Sequence, residues 1–561
     1  MAAVQSALVD LRAAATACQA LAGSLSHEQA SQGLAVADLL RAHFLPPAAA
    51  QADSLLLELP AELLSDILSR LDASGLARLA ATCRSLCRDT PTPPLAPRHI
   101  GPVEAELRRR AEARGLVISS TLPEGASSWV RHLLASGLRD ALRRQAPLAV
   151  GLAHSIFVDK EGRLLTCGDE YYGGDSGPYH ILRHAVGPED AECRSIFPPK
   201  LVPSMQDRRF VSVATSYDHC LALSAEGEVY SWGESGCGQL GHAVTGRRDV
   251  PTRVESLSRI ERIAAGFYST SAAIDEAGTL FTWGKAFVLD QGQEESDSLE
   301  LDEIQRPTGL GYELETDWQP TPKRVDALLQ DRVVDVALGD GFTLAVTDAG
   351  AVFSFGFSWY DALGHYGEWV DSEVLPRRIE ALTQTGRRFV AVAAGQGHAL
   401  ALTEEGELFG WGDGQANGHG RGEKTPQRVA SLLDECVKLV DARGEMSCAV
   451  TEKGELFTWG ISDSSFSHGN GKSKQATPTC VEGLGRVRVA AVAIGSNHAL
   501  AADEDGVVWG FRGNRSTGLN NETGLGHYSC GVAIPPRPLP ALRVRIFKCL
   551  QSPALHCTRL A

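Results

Sequence analysis

Seven times between Ala149 and the C-terminal region the chain repeats one pattern of short apolar stretches, at a period of roughly 50 to 70 residues. The clearest copies read VAVAAGQGHALALTEEGELFGWG (Val390 to Gly412) and VAAVAIGSNHALAADEDGVVWG (Val489 to Gly510). In the first, Val390, Val392 and Ala394 alternate as a strand that Gly395 ends. His398, Leu400 and Leu402 alternate again, Glu404-Glu405-Gly406 make a turn, and Leu408 to Trp411 return as the hairpin partner. One such unit cannot bury its own apolar face, so neighbouring copies must share a core. Repetition around an axis predicts a mainly β fold, a seven-bladed propeller.

The copies keep their special residues in fixed rows. The turn glycine recurs as Gly162, Gly227, Gly278, Gly350, Gly406, Gly454 and Gly506, where a left-handed residue closes the hairpin. Eleven positions earlier stands Gly151, Gly339, Gly395 or Gly495; Ser216, Phe267 and Arg443 replace it elsewhere, and the third copy reads as shifted by one, at Gly266. Eight positions earlier stands His154, His219, His398 or His498, with Thr270, Phe342 and Met446 in the other copies. An aromatic-glycine pair follows each hairpin: Trp232-Gly233, Trp283-Gly284, Phe355-Gly356, Trp411-Gly412, Trp459-Gly460 and Trp509-Gly510, with Cys167-Gly168 in the first copy. Most copies then reach a proline that opens a valine-type fourth strand, as in Pro251 to Val254, Pro322 to Val325, Pro376 to Ile379, Pro426 to Val429 and Pro478 to Val481.

With Gly238-Gln239-Leu240-Gly241 after Trp232-Gly233, the pattern resembles the regulator-of-chromosome-condensation repeat over about 400 residues. That resemblance implies a ring of seven blades, with tryptophans filling the space between them. Gly236 to Gly241 also satisfies G-x-G-x-x-G, yet it follows a hairpin strand and opens no helix, so it reads as the ordinary repeat loop rather than a dinucleotide site. Gly471-Lys472-Ser473 lacks the first glycine of a phosphate loop, since Phe466 stands there. Each strand-start histidine belongs to a different blade, whereas zinc needs four ligands at about 2 Å from one point. The expectation is a histidine hydrogen-bonded within its own blade, and no metal, cofactor or catalytic residue.

Charge divides the chain. Residues 1–147 hold 15 Lys/Arg against 14 Asp/Glu, and residues 148–561 hold 38 against 55, out of a net −16. So acidic a repeat region repels a phosphate backbone, which argues against nucleic acid and favours a basic protein target. No apolar run approaches the ~20 residues of a membrane span, and the start of the chain lacks a basic signal-peptide region. Thirteen cysteines without a spaced framework fit a reducing compartment, cytoplasmic and/or nuclear. An insert in the third copy, Asp290 to Asp317, carries ten acidic residues and one arginine and has no apolar period, so it is expected to be a mobile surface loop.

Ahead of the repeats, Leu63, Leu64, Ile67, Leu68 and Leu71 fall at helical spacing behind Pro60. Leu76, Leu79, Ala80, Cys83, Leu86 and Cys87 stripe a second helix. Two such short helices cannot hide this much leucine between themselves. The order Leu59-Pro60, Glu62-Leu63-Leu64, Ile67-Leu68, Leu71, Leu76, Leu79 and Cys83-Arg84 resembles an F-box; the match weakens after Leu86, where no aromatic follows. The resemblance implies a Skp-type adaptor of a Skp–cullin–F-box ubiquitin ligase as partner, docked on these leucines and the Leu59-Pro60 turn. A helical hairpin packed on the protein's own N-terminal helices is the alternative. The resulting layout is N-terminal helices at 1–50, the F-box-like segment at 55–90, linker and helices at 91–146, the propeller at 147–547 with copies starting near 149, 211, 260, 334, 390, 437 and 489, and a tail at 548–561. Leu539 to Phe547 is a candidate late strand.

Four functions fit this layout to different degrees. The first is a substrate-recognition subunit of a ubiquitin ligase, the propeller holding an unidentified target. The second, implied by the repeat family, is guanine-nucleotide exchange on a Ran-type GTPase; against it, the N-terminus is alanine-rich and nearly neutral, and no residue matches an exchange wedge. A UV-B receptor would need repeated Gly-Trp-Arg-His-Thr stretches, and none occurs. A scaffold without a ligase role is the fourth.

Overall fold

Four-stranded antiparallel meanders, one after another along the chain, make up the described structure. The computed structural model describes residues 146–151, 154–169, 195–266, 269–285, 309–314, 318–357, 360–365, 372–461, 474–495, 498–511 and 537–544, with Arg109 besides. The expected N-terminal helices, the F-box-like segment and the C-terminal tail lie outside the described residues.

Blade 1 is β1–β4 (Leu148–Val150, His154–Val158, Leu164–Asp169, Ser195–Leu201) and blade 2 is β5–β8 (Phe210–Thr215, His219–Ser224, Val229–Gly233, Arg248–Arg253). Blade 3 is β9–β12 (Ile260–Ala265, Ser269–Asp275, Leu280–Lys285, Gln319–Arg324) and blade 4 is β13–β16 (Val333–Leu338, Phe342–Thr347, Val352–Phe357, Ser372–Arg378). Blade 5 is β17–β20 (Phe389–Ala394, His398–Thr403, Leu408–Gly412, Glu423–Arg428), and blade 6 is β21–β24 (Val437–Arg443, Met446–Thr451, Leu456–Ile461, Lys474–Cys480). Blade 7 is β25–β28 (Val489–Ile494, Ala499–Asp503, Val507–Phe511, Arg537–Arg543). Within each blade the strands are lettered A to D in chain order.

The A strands touch one another in sequence around the ring, and β25 returns to β1. Each blade therefore turns its first strand to the axis and its last to the rim, as in a propeller. The core sits between blades. Leu148, Val150 and Phe157 of blade 1 pack with Leu500, Val508, Leu542 and Val544 of blade 7; Leu221 and Val229 of blade 2 pack with Ala273 and Trp283 of blade 3. The seven-bladed fold expected from the repeats is thus the observed one.

The fourth strands correct the sequence reading. They begin three or four residues before the proline that was expected to open them, as β8 does at Arg248 and β16 at Ser372. Each C–D pair shifts register, and in blade 2 Ser231 pairs Thr252 while Gly233 pairs Arg248. The bulge holds Asp249-Val250-Pro251, so the proline lies where no ladder bond is required of it. The aliphatic residue after it ends the pairing as a buried plug: Val254 N–H donates to Val229 O at 2.8 Å and Ile379 N–H to Val352 O at 2.9 Å.

Part of the acidic insert also departs from expectation. Residues 286–308 and 315–317 lie outside the described residues, but Gly309-Leu310-Gly311 is packed. Leu310 is fully buried, and its carbonyl accepts the Thr282 hydroxyl at 2.6 Å. These residues are the third copy's version of Gln239-Leu240-Gly241, displaced along the sequence by the acidic run.

Candidate interaction site

The antiparallel order fixes the two ends of the ring. A–B and C–D loops emerge at one end, and B–C turns and D–A loops at the other. At the second end the seven turn glycines take φ between 79° and 86°. An arginine just before the A strand braces these turns: Arg332 Nη1 donates to Glu276 O (2.7 Å), Arg388 Nη2 to Asp348 O (2.6 Å) and Arg488 Nη2 to Glu452 O (3.1 Å). The carboxylates here are largely matched by cations, as in Arg388–Glu404, Arg488–Glu504, Arg387–Glu407 and Lys453–Glu435.

The histidine row behaves otherwise than the sequence suggested. Each ring reaches into the next blade. His219 also bonds within its own, where Nδ1 lies 2.7 Å from Ser216 Oγ and 3.0 Å from Asp218 Oδ1. His398 Nε2 lies 2.6 Å from Ser447 Oγ, His219 Nε2 2.8 Å from Ser271 Oγ, and His498 Nε2 2.7 Å from Ser155 Oγ. His154 Nε2 meets Thr215 Oγ1 at 2.6 Å and Cys220 Sγ at 3.6 Å. Ser447 Oγ donates its one hydrogen to Ala416 O (2.9 Å), so His398 must donate from Nε2. Burial lowers the His398 pKa from 6.5 to about 3, and the ring stays neutral. The partner position matches the ring's chemistry: Phe342 of blade 4 precedes Ala399 in blade 5, and Met446 of blade 6 precedes Ala499 in blade 7. Among the described residues no three potential metal ligands come together.

The glycine three positions before the histidine follows from the same ring. A Cβ on Gly395 would lie 2.0 Å from His398 Cε1, and one on Gly339 2.2 Å from Phe342 Cε1. A Cβ on Gly151 would lie 2.1 Å from His154 Cε1, whereas one on Gly495 would meet Val150 and Gly151 O of the neighbouring blade. In blade 2 Ser216 takes the position, its Oγ 2.7 Å from His219 Nδ1. Where the flexible Met446 stands instead, Arg443 replaces the glycine. Its Nη2 donates to Gly266 O of blade 3 at 3.5 Å, so an arginine of blade 6 reaches across the axis. Gly266 itself bonds Thr270 O rather than a residue three along, so the third copy's A–B loop is one residue longer.

The tryptophans latch blades to one another. Trp232, Trp283, Trp411 and Trp459 are completely buried, while Trp509 is half-buried. Trp283 Nε1 donates to Gln239 O of blade 2 (2.8 Å), Trp411 Nε1 to Ala362 O of blade 4 (2.8 Å) and Trp459 Nε1 to Ala416 O of blade 5 (2.6 Å). The residues of the G-x-G-x-x-G stretch, expected to be a plain repeat loop, supply one of these acceptors and open no helix. Gly233 and its counterparts bring the C strand against the A–B loop, where a Cβ would meet Asp218 O at 2.4 Å.

Sequence reading missed a second histidine row. His242 and His365 each lie 2.9 Å from a C-strand serine, Ser231 and Ser354, and burial lowers both pKa values to about 4. The Leu-Gly-His triplet in both copies was the available signal. The arginines before the A strands were missed too, although Arg209, Arg259, Arg332, Arg388 and Arg488 recur at one position.

At the A–B/C–D end the described loops of blades 4 to 6 form one connected set. The blade 5 loop Gly395-Gln396-Gly397 ties three neighbours together. Asp340 N–H donates to Gly395 O (3.3 Å), Gln396 N–H to Gly444 O (2.7 Å) and Asp413 N–H to Gly397 O (2.8 Å). Tyr360, 53% exposed, lies over Gly397, where a Cβ would fall 2.2 Å from its ring. Beside it Asp361 holds φ +57°, a left-handed conformation that Asp tolerates. Burial lifts the Asp340 pKa to about 6, and burial together with Asp413 raises that of Glu445.

Known proteins share these features. The Regulator of chromosome condensation (RCC1) repeat matches residues 226–273, 349–402 and 453–502, and a second form of it matches 210–239 and 389–421. An F-box-like domain matches residues 56–89. The chain therefore carries an F-box-like segment followed by a propeller of RCC1 repeats. Each of the three longer matches runs from a B–C turn of one blade into the B strand of the next, so the sequence repeat straddles two blades. Human E3 ubiquitin-protein ligase HERC2 is 36% identical over 318 residues, 55% of this chain and 6% of that protein. Ultraviolet-B receptor UVR8 of Arabidopsis thaliana is 30% identical over 265 residues, 47% of this chain and 52% of the receptor. Human Protein RCC2 is 30% identical over 319 residues, 52% and 56% of the two chains. The chain thus spans a small part of the first of these proteins and about half of the others. Among solved structures, Prp20p of Saccharomyces cerevisiae superposes with a TM-score of 0.53 at 20% identity, covering 71% of this chain and 88% of that one. Human WBSCR16 gives 0.50 at 20% identity, covering 63% and 85%. These two likenesses establish the fold alone.

Proposed function

We propose that the protein is a protein-interaction adaptor, the substrate-recognition subunit of a Skp–cullin–F-box ubiquitin ligase. The observation that carries this reading is the pairing, in one chain, of an F-box-like segment at residues 56–89 with a propeller of RCC1 repeats. Leu59, Pro60, Leu63, Leu64, Ile67, Leu68, Leu71, Leu76 and Leu79 are the residues that would meet a Skp-type adaptor. They lie outside the described residues. The propeller would hold the target protein. No side chain of this chain then does covalent chemistry; the target is ubiquitinated because it is held near a charged enzyme at high effective concentration. The likeness of the repeats to HERC2, itself named as an E3 ubiquitin-protein ligase, agrees with such a setting.

The test is capture of purified Skp-type adaptor by the full-length chain, wild type against Leu63→Asp with Ile67→Asp. Wild-type capture that the double variant loses by about thirtyfold or more supports the proposal. No wild-type capture overturns it. Nucleotide exchange is the second reading, supported by the fold shared with Prp20p, whose structure is described with its binding to Gsp1p and histones. Accelerated nucleotide release from a Ran-type GTPase by this protein would promote it.

A further inference from the structure

The two ends of the ring treat their carboxylates differently, and the difference points to a partner. At the B–C/D–A end arginines and lysines pair most of the turn acids. At the other end Asp340, Asp413 and Glu445 have no ion pair among the described residues, and Asp361 has only Lys424 at 3.9 Å. Asp340, Asp413 and Glu445 belong to one continuous surface, because the A–B loops of blades 4, 5 and 6 and the blade 5 C–D loop are hydrogen-bonded to one another. Asp361 of the blade 4 C–D loop adjoins it beside Tyr360, whose ring lies over Gly397. Gln415, half-buried in the blade 5 C–D loop, lies on the same surface, its backbone N–H donating to Asp413 Oδ1 at 3.2 Å. An exposed aromatic ring, Tyr360, is held on the same surface by a glycine that leaves room beneath it.

We propose that this end of blades 4 to 6 is the target-docking surface, and that it takes a lysine- or arginine-bearing segment, one cation against Tyr360 and others over Asp340, Asp413 and Glu445. The proposal deepens the adaptor reading and rests on the propeller being its recognition half. A cation over the Tyr360 ring gains from the ring's negative face, and cations beside the three acids donate charge-assisted hydrogen bonds to their carboxylates. Lys424 and Lys474 stand at the rim of the surface and would turn away segments that carry carboxylates. Glu445, already disfavoured as an anion by burial and by Asp413, becomes easier to ionise once a cation binds.

The probe is a fluorescein-labelled decalysine peptide, titrated by anisotropy against the full-length protein at about 150 mM salt, where long-range attraction is screened. Two charge-matched triple variants separate docking from general acidity. Asp340→Asn, Asp413→Asn, Glu445→Gln empties the proposed surface, and Glu226→Gln, Glu276→Gln, Glu405→Gln removes three exposed charges from the opposite end. The first should weaken binding by about tenfold or more, the second by less than about twofold. Tyr360→Ala, which leaves net charge unchanged, should weaken it by about two- to fivefold. Circular dichroism and thermal melting check that each variant folds. Equal losses from the two triples, or no binding by wild type, overturn the proposal. Adaptor capture is measured on the same variants: loss of capture by wild type with the peptide result intact would sink the ligase reading alone.

Discussion

At the residue scale, the pairing of His398 with Ser447 shows how the blades select one another. Ser447→Ala leaves a buried imidazole N–H without an acceptor, a state that costs about 1–3 kcal/mol. His398→Phe removes the donor but lays an apolar ring on a hydroxyl. Together the two substitutions recreate what blades 4 and 5 already use, Phe342 with Ala399, and the double variant is expected to regain most of the stability that either single one loses. A double-mutant cycle in urea measures this; additive losses would contradict it. The pH profile gives an independent readout. Between pH 6.5 and about 3 the unfolded chain binds a proton at His398 that the folded protein does not. The contribution is therefore whole above 6.5 and declines as pH falls, by up to about 1.4 kcal/mol per pH unit. Asp340 and Asp441, raised to about 6 by burial, act in the opposite sense between about 4 and 6. Both remain in the double variant, so the wild-type profile should fall more steeply on acidification. The rows of glycine, histidine and tryptophan were legible because they recur. The histidines' partners were not, since each stands in the next copy; only reading one copy against its successor pairs His with Ser and Phe with Ala.

At the scale of the strand, the rim is where the fold guards itself. Every D strand contains proline, including Pro198, Pro320, Pro426, Pro478 and Pro538, and each lies at the outer edge of its sheet, where an unpaired row of N–H groups would invite another chain. In blade 4 the guard matters most, because Val374 and Leu375 are exposed just before Pro376. Pro376→Val turns that stretch into an unbroken β-branched and aliphatic edge. The fold should tolerate it, with a thermal midpoint close to wild type, while light scattering at equal concentration should rise with time. Unchanged scattering would mean that the bulge, not the proline, protects this edge. The sequence announced the prolines but misplaced the strands around them. A bulge leaves no periodic trace, and alternation becomes readable only after it, toward the buried Val or Ile.

At the scale of the whole ring, closure among the described residues is achieved by packing and a short backbone bridge, each of the first and last blades keeping four strands consecutive in the chain. β28 completes blade 7 from residues far beyond β27, and its end bridges to blade 1: Val544 pairs Asp159, and Lys160 N–H donates to Arg543 O at 3.1 Å. Leu542 and Val544 are buried in the cluster that joins Phe157 to Val508, and His498 bonds Ser155 across the same junction. The closing joint thus uses the same latch as the other blade pairs plus one late strand, which the sequence hinted at through Leu539 to Phe547 but could not tie to blade 1. Removing residues 537–561 should strip that strand and leave two apolar faces unmatched. Two buried aliphatic side chains are worth about 2–5 kcal/mol each, and the lost ladder adds to that, so the melting midpoint should fall by about 10 °C. Removing only 548–561 spares β28 and should leave the midpoint within about 2 °C of wild type. If both truncations melt alike, the joint between blades 1 and 7 does not depend on β28, and the inter-blade histidine and the packing of β1 against β25 suffice to hold the circle.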